Sequence, residues 1–190
     1  MRKVILFMHV SLDGFVCGPG DELDWATMDD DAIGEFLIPD LQKTVDTMLV
    51  GRKLYQGFEQ FWPTVPENPA SKPELVAFAH WMNDTPKWVF SNTLKEVNWK
   101  NSRLAISDPS ATIAQLKKET GGDMVIFGGA SLAAHFVKNN LVDEFRIKLE
   151  PVLLGKGKSL YSDLTTRVNL KLIRSKAFGS VSCLYYEVIK

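Results

Sequence analysis

Three short stretches place glycine, hydroxyl or amide residues, and in one case basic side chains, where an apolar run gives way to a polar turn or a helix-like segment. The first is VGRKLYQGF, Val50 to Phe58. Gly51 permits a tight turn after a strand, and Arg52 and Lys53 fall at the start of the next helix. Free backbone N–H groups with two cations beside them suit a phosphate, although a solvated basic pair after an ordinary strand–helix turn has the same sequence. The second is VFSNTL, Val89 to Leu94, where Ser91 and Asn92 follow a strand and can bond either a ligand edge or their own turn. The third is DMVIFGGASLAAHF, Asp123 to Phe136. Gly128 and Gly129 remove two side chains, and Ser131 with the first free N–H groups of the helix supplies donors for a phosphate. A glycine pair before a helix also serves close packing. The pattern is not GxGxxG, and no acidic residue stands at the ribose spacing.

The elements that must hold these stretches read as a layered α/β chain. Apolar runs at Val4–Val10, Thr47–Val50, Lys87–Phe90, Met124–Phe127 and Glu144–Leu149 predict strands, and most are joined by amphipathic segments. Helices are expected over Asp29–Val45, Arg52–Glu59, Glu74–Met82, Ile113–Glu119 and Ser131–Asn139. Pro39 must break the first of these or open a second helix at its first turn. Cys17–Asp24 is a loop, and Trp62–Pro73, with four prolines, is a surface excursion. Asn169–Phe178 and Val181–Ile189 are separated by Gly179-Ser180, which predicts an antiparallel hairpin. The expectation is one domain over residues 1–190: a mixed, mostly parallel sheet with helices on both faces and an antiparallel C-terminal hairpin.

Composition narrows the function classes. Of the 190 residues 45% are hydrophobic and 24% charged, with a formal net charge of −1, so no basic excess invites nucleic acid or an anionic membrane. The N-terminal apolar run is short, is interrupted by His9 and reads as a strand rather than a leader. Cys17 and Cys183 lack any CxxC spacing and are expected as two thiols of a reducing, cytoplasmic compartment. His9, His80 and His135 have no ligand spacing, so no metal is expected.

Taken in order, SLDGF, GRKLY, VFSNTL, IFGGASLAAHF and LVDEFRIKLEPVLLGKGKSLY closely resemble one family. It is the dihydrofolate-reductase-like reductases, in the branch of the C-terminal reductase domain of the bifunctional riboflavin deaminase–reductase. No zinc-deaminase signature is present, so the chain is similar to the reductase module alone. The resemblance implies a three-layer dihydrofolate-reductase-like fold, a homodimer, and NADPH as cofactor. It places the cofactor against Gly51, Arg52, Lys53 and Leu54, against Ser91 and Asn92, and against Phe127, Gly128, Gly129, Ala130, Ser131 and Leu132. Arg52 and Lys53 would face the 2′-phosphate, Ser91 and Asn92 the adenosine end, and Gly128 to Leu132 the diphosphate. Asp13 and Gly14 would lie by the nicotinamide and the substrate. That substrate would be a small heterocycle: a pyrimidine like 5-amino-6-(5-phosphoribosylamino)uracil, or a pterin such as dihydrofolate.

Folate reductases carry one carboxylic acid on the helix before the GR strand. The matching region here offers Asp29, Asp30, Asp31, Glu35 and Asp40, and counting back from Gly51 favours Glu35. An acidic helix start is equally a dipole-compatible cap. Trp25 and Tyr161 are candidates to line the substrate pocket, and Lys156 and Lys158 to meet a substrate phosphate or to sit solvated in a loop. Because the acid is not fixed, a non-catalytic nucleotide-binding module of the same fold is the competing reading; a flavin-linked oxidoreductase has no motif behind it.

Overall fold

The computed structural model describes residues 1–27, 31–106, 108–162 and 164–189. The candidates Asp29 and Asp30, and the expected start of the first helix, lie outside the described residues. An eight-stranded sheet organises the chain, in the order β5-β4-β3-β6-β1-β7-β10-β9. Its members are β1 (Val4–Ser11), β3 (Val45–Gly51), β4 (Lys87–Phe90), β5 (Ser102–Ala105), β6 (Asp123–Ile126), β7 (Glu144–Glu150), β9 (Leu170–Phe178) and β10 (Val181–Val188). From β5 to β7 every neighbour pair is parallel; β10 runs antiparallel to both β7 and β9. Two short strands, β2 (Phe15–Cys17) and β8 (Lys158–Ser159), pair separately.

Both faces of the parallel part are covered, which is why its strands read as unbroken apolar runs. Val4, Leu6, Met8 and Val10 of β1 join Ile113 and Leu116 of α4 (Pro109–Leu116) and Leu132, Ala133 and Phe136 of α5 (Ala130–Lys138). Ile5 and Phe7 join the opposite core, with Leu37 and Leu41 from the N-terminal helical segment, Tyr55 of α2 (Arg52–Phe61) and Ala79 and Met82 of α3 (Pro73–Asp84). The helix expected over Asp29–Val45 is split. A π-helical turn, Ala32–Leu37, runs into α1, Ile38–Thr44, whose first turn holds Pro39. Proline offers no N–H to the carbonyl four residues back, and a wider turn absorbs the mismatch. Other elements also differ from the sequence reading. The excursion after Phe61 contains a 3-10 helix, Trp62–Glu67. Strands β2, β5 and β8 were not expected, and β2 takes in Cys17 from the expected loop. Helix α4 starts before Ile113, because Asp108 accepts N–H bonds from Ser110 (2.9 Å) and Ala111 (3.2 Å) and Pro109 fills the first position.

Strand β4 is anchored by a buried lysine. Lys87 Nζ donates to the carbonyls of Asn83 (3.0 Å), Thr85 (2.7 Å) and Lys100 (3.1 Å) and lies 4.1 Å from the Trp99 ring centre. Lys87→Met removes the donor and strands those carbonyls, so urea unfolding is expected to show a loss of roughly 2–3 kcal/mol. A loss under 0.5 kcal/mol would mean water replaces the ammonium.

Candidate functional site

Five parallel strands, β5, β4, β3, β6 and β1, end along one groove of about 1170 Å³. Ligands of open α/β sheets bind outside the carboxyl ends of their strands. Four strand spacings of ~4.8 Å give roughly 19 Å of run, the scale of an extended dinucleotide. At its middle the two glycine turns meet. A Cβ on Gly51 would lie 3.7 Å from Gly129 Cα, so the β3–α2 and β6–α5 turns touch. Gly51 has ordinary extended backbone (φ −79°), and close approach is what its glycine serves. Gly128 (φ +120°) and Gly129 (φ +84°) do occupy the left-handed region. Helices α2 and α5 both begin here, and neither has a side-chain cap. Their first-turn N–H groups and the positive ends of two helix dipoles therefore converge on the groove.

All twelve residues expected at a cofactor line this groove: Gly51 to Leu54, Ser91, Asn92, and Phe127 to Leu132. Arg52 and Lys53 diverge, however. Arg52 donates to Thr93 Oγ1 (3.0 Å), beside Ser91 and Asn92. Lys53 turns the other way to Asp21, which is also bonded by Lys158. Those two ammonium groups, Lys158 first, hold the Asp21 carboxyl far below the usual carboxylate range. Ser91 is engaged in its own turn, accepting from Thr93 N (3.1 Å) and Leu94 N (3.0 Å).

The residues expected at the substrate fare differently. Asp13 is not on the groove wall. It accepts from Ser11 Oγ (2.6 Å) and from the N–H groups of Leu154 (3.2 Å) and Gly155 (2.8 Å). The Ser11 hydroxyl, then these amides, lowers its pKa, and it ties the SLDG turn to the PVLLG loop. That tie explains why the two motifs belong together. Glu35 is 65% exposed and lies 3.9 Å from Lys176 of β9, outside the groove, because the π-helical turn shifts the register counted back from Gly51. Asp40 pairs with Arg174 and Lys43. Gly14 (φ +87°) sits beside the Tyr161 ring, and Trp25 donates to the carbonyl of Glu22 (3.2 Å); neither aromatic lines the groove.

The sequence reading missed a buried polar cluster at the β1 end of the groove. His9, which lines the groove, bonds Glu150 Oε1 through Nδ1 (2.9 Å). Glu150 Oε1 also accepts from Lys148 Nζ (2.9 Å), and its Oε2 accepts from Thr27 Oγ1 (2.7 Å). Lys148 donates as well to Thr27 Oγ1 (2.8 Å) and to the Thr27 carbonyl. The side chains of Lys148 and Glu150 are 0% exposed. Burial alone would raise the Glu150 pKa, and the bonds from Lys148, Thr27 and His9 bring it below the usual range. Burial, with the charge of Lys148, outweighs Glu150 and pushes His9 below its ordinary 6.5. The available signal was the alternation FRIKLE in a strand covered on both faces. Cys17 and Cys183 are buried thiols with no disulfide between them. Among the described residues no cluster of three or more His, Cys, Asp or Glu could hold a metal.

Comparison with known proteins bears on the fold and the family. YyaP of Bacillus subtilis (strain 168), an uncharacterized protein, is 39% identical over 180 residues, covering 94% of this chain and 90% of its own. A riboflavin biosynthesis protein from Shewanella sp. PV-4 superposes with a TM-score of 0.75 at 25% identity, with both chains fully covered. Dihydrofolate reductase of Enterococcus faecalis, solved with NADP(H), shares the fold at a TM-score of 0.61 and 13% identity, over 99% of this chain and 97% of that one. The fold is thus dihydrofolate-reductase-like. Residues 2–184 match the RibD C-terminal domain, and the chain belongs to that family.

Proposed function

We propose that the chain is an NADPH-dependent reductase that transfers hydride to a small heterocycle, either a pyrimidine like 5-amino-6-(5-phosphoribosylamino)uracil or a pterin. The observation that carries this reading is the meeting of two uncapped helix N-termini at the glycine turns, midway along a dinucleotide-length groove. Diphosphate at that point leaves one arm to run toward Arg52, Thr93 and Asn92 and the other toward Phe7 and His9. The family, and a reductase fold shared with an NADP(H)-binding enzyme, support the same assignment. When bound, the nicotinamide would supply the hydride, and the protein would orient the substrate and furnish a proton.

Isothermal titration with NADPH tests the binding half, and loss of its absorbance with pyrimidine and pterin substrates tests the chemistry. No binding at millimolar NADPH would end the proposal. Arg52→Ala is expected to weaken NADPH by roughly tenfold to a hundredfold, the 1.5–3 kcal/mol of a hydrogen bond to a charged group, with little effect on NADH. Equal losses for both would place Arg52 away from the 2′-phosphate.

Asp13 and Glu35 lie off the groove, which favours one rival: a nucleotide-binding module without turnover. It predicts tight NADPH binding and no oxidation with any substrate. A homodimer and a cytoplasmic site of action are further proposals from the family resemblance. Light scattering and cell fractionation are their tests. No helix of the described residues is long and apolar enough to cross a membrane.

A further inference from the structure

We propose that His9 is the proton donor of the reduction, and that Glu150, fixed by Lys148 and Thr27, is the residue that positions it. The assignment rests on the reductase reading above.

The first argument is topological. Diphosphate at the β3–β6 junction and adenosine toward Arg52 and Thr93 leave the β1 end of the groove for the reacting ring, and His9 lines that end. The second is chemical. Asp21 is a carboxylate bonded by two ammonium groups and has no proton to give. The Cys17 thiol is driven up by burial and by Asp21, which makes it a weak acid. Asp108 is occupied as the cap of α4, and His135 stands on the helix that follows the glycine pair, in the diphosphate region. Lys53 and Lys158 are both spent on Asp21, which leaves His9 as the remaining titratable group at the reacting end among the described residues.

The third argument is the support behind it. Nδ1 is held by Glu150, and Nε2 makes no hydrogen bond among the described residues. A protonated Nδ1 facing a carboxylate leaves Nε2 as the atom that takes up and delivers a proton. The side chain is 18% exposed, whereas Glu150 and Lys148 are shut off from water. Glu144, Arg146, Lys148 and Glu150 put four buried charges on one face of β7, a costly way to fill a core, and the fully buried pair, Lys148 and Glu150, stands at the imidazole. Lys148 and Glu150 are the charged groups acting on the ring; farther along the sheet, Cys183 of β10 is in register with Lys148 and Arg146 is paired with Glu144.

When bound, the reduced nicotinamide would supply a hydride, a proton with two electrons, to the carbon of a substrate C=N bond. Imidazolium Nε2 passes its proton to the nitrogen as the π bond breaks. His9 is left neutral, and solvent returns its proton.

Two measurements test this. In the ligand-free protein, 15N NMR of the imidazole is expected to show the Nδ1–H tautomer and a midpoint below 6.5. Glu150→Gln is expected to lower that midpoint further, since it removes the charge that favours imidazolium; an unchanged midpoint would overturn the positioning role. In single-turnover NADPH oxidation the rate is expected to fall tenfold per pH unit above the same midpoint. His9→Asn is expected to cost 10²–10⁴-fold in rate, lose that limb, and keep NADPH affinity within threefold. An Nε2–H tautomer, or a limb that survives in His9→Asn and disappears in Asp29→Asn or Asp30→Asn, would overturn the donor role alone. Absence of NADPH binding to the unaltered protein would overturn the reductase reading and the donor role with it, whatever the NMR shows.

Discussion

Glu150→Ala is expected to lower the unfolding free energy by about 3–5 kcal/mol, the cost of leaving a buried charge without its partner. Lys148 would keep only the Thr27 hydroxyl and carbonyl around its ammonium, with no water in reach. Small domains are stable by only ~5–15 kcal/mol, so the loss is a large share of the total. Two companion variants separate charge from volume. Glu150→Gln keeps an acceptor of the same shape and should lose less; Lys148→Met with Glu150→Leu removes both charges and should recover most of the loss. Urea unfolding at pH 7.5 reads all three, and a loss below 1 kcal/mol in Glu150→Ala would show that solvent reaches the site. The same cluster makes the protein acid-labile. His9 is depressed below 6.5, so the unfolded chain binds the extra proton first and stability falls as the pH drops through that window. Glu150 is depressed as well, so its contribution stands above its unfolded pKa and is lost at still lower pH. His9→Asn should flatten the first of these declines and leave the second.

The second large effect is at the glycine turn. Gly129→Val is expected to weaken NADPH by a hundredfold or more, with a smaller loss of thermal stability. Space is not the obstacle, because a Cβ there would meet Gly51 Cα at an ordinary 3.5 Å. The backbone is: φ is +84°, and a β-branched residue is an outlier in that region. The strain is of order 1–3 kcal/mol. The empty loop can shed it by shifting, and a bound diphosphate would force it back, so the strain and the misplaced N–H donors both appear in affinity. Gly128 (φ +120°) faces the same conformational objection, and its Cβ would press on Met8 at 3.4 Å. A Gly129→Val variant that binds NADPH within threefold of the unaltered protein would remove the diphosphate from this turn.

Much of this architecture is readable from residue order because the parallel strands are covered on both faces. Val4–Val10 and Met124–Phe127 then have little polar interruption, and a glycine ends β3 and a glycine pair comes just after β6, where the chain must turn into a helix. Strand β5 escaped because SRLA is short and lies at the sheet edge, where alternate positions stay wet. The start of α4 was legible in Asp108-Pro109 and went unread. Glu35 falls outside the groove for a physical reason: a register counted through Pro39 assumes 3.6 residues per turn, and the wide turn does not keep that count. The His9 cluster is the part least legible in the residue order. Charges alternating along FRIKLE are also what a strand with one wet face shows, and only the placement of β7 between β1 and β10 puts them inside.

Asp21 bonds Lys53 on one side and Lys158 on the other, so the groove wall carries its own counter-anion. Any phosphate that comes to Lys53 must therefore trade places with a carboxylate rather than neutralise a bare cation. With Asp21 in place the wall presents less net positive charge, which makes capture less sensitive to ionic strength than two lysines without a counter-anion would be. Departure benefits by the same route. As the ligand loosens, the carboxylate is already tethered within reach to replace it, and the off-rate is raised without any loss of positive charge from the wall.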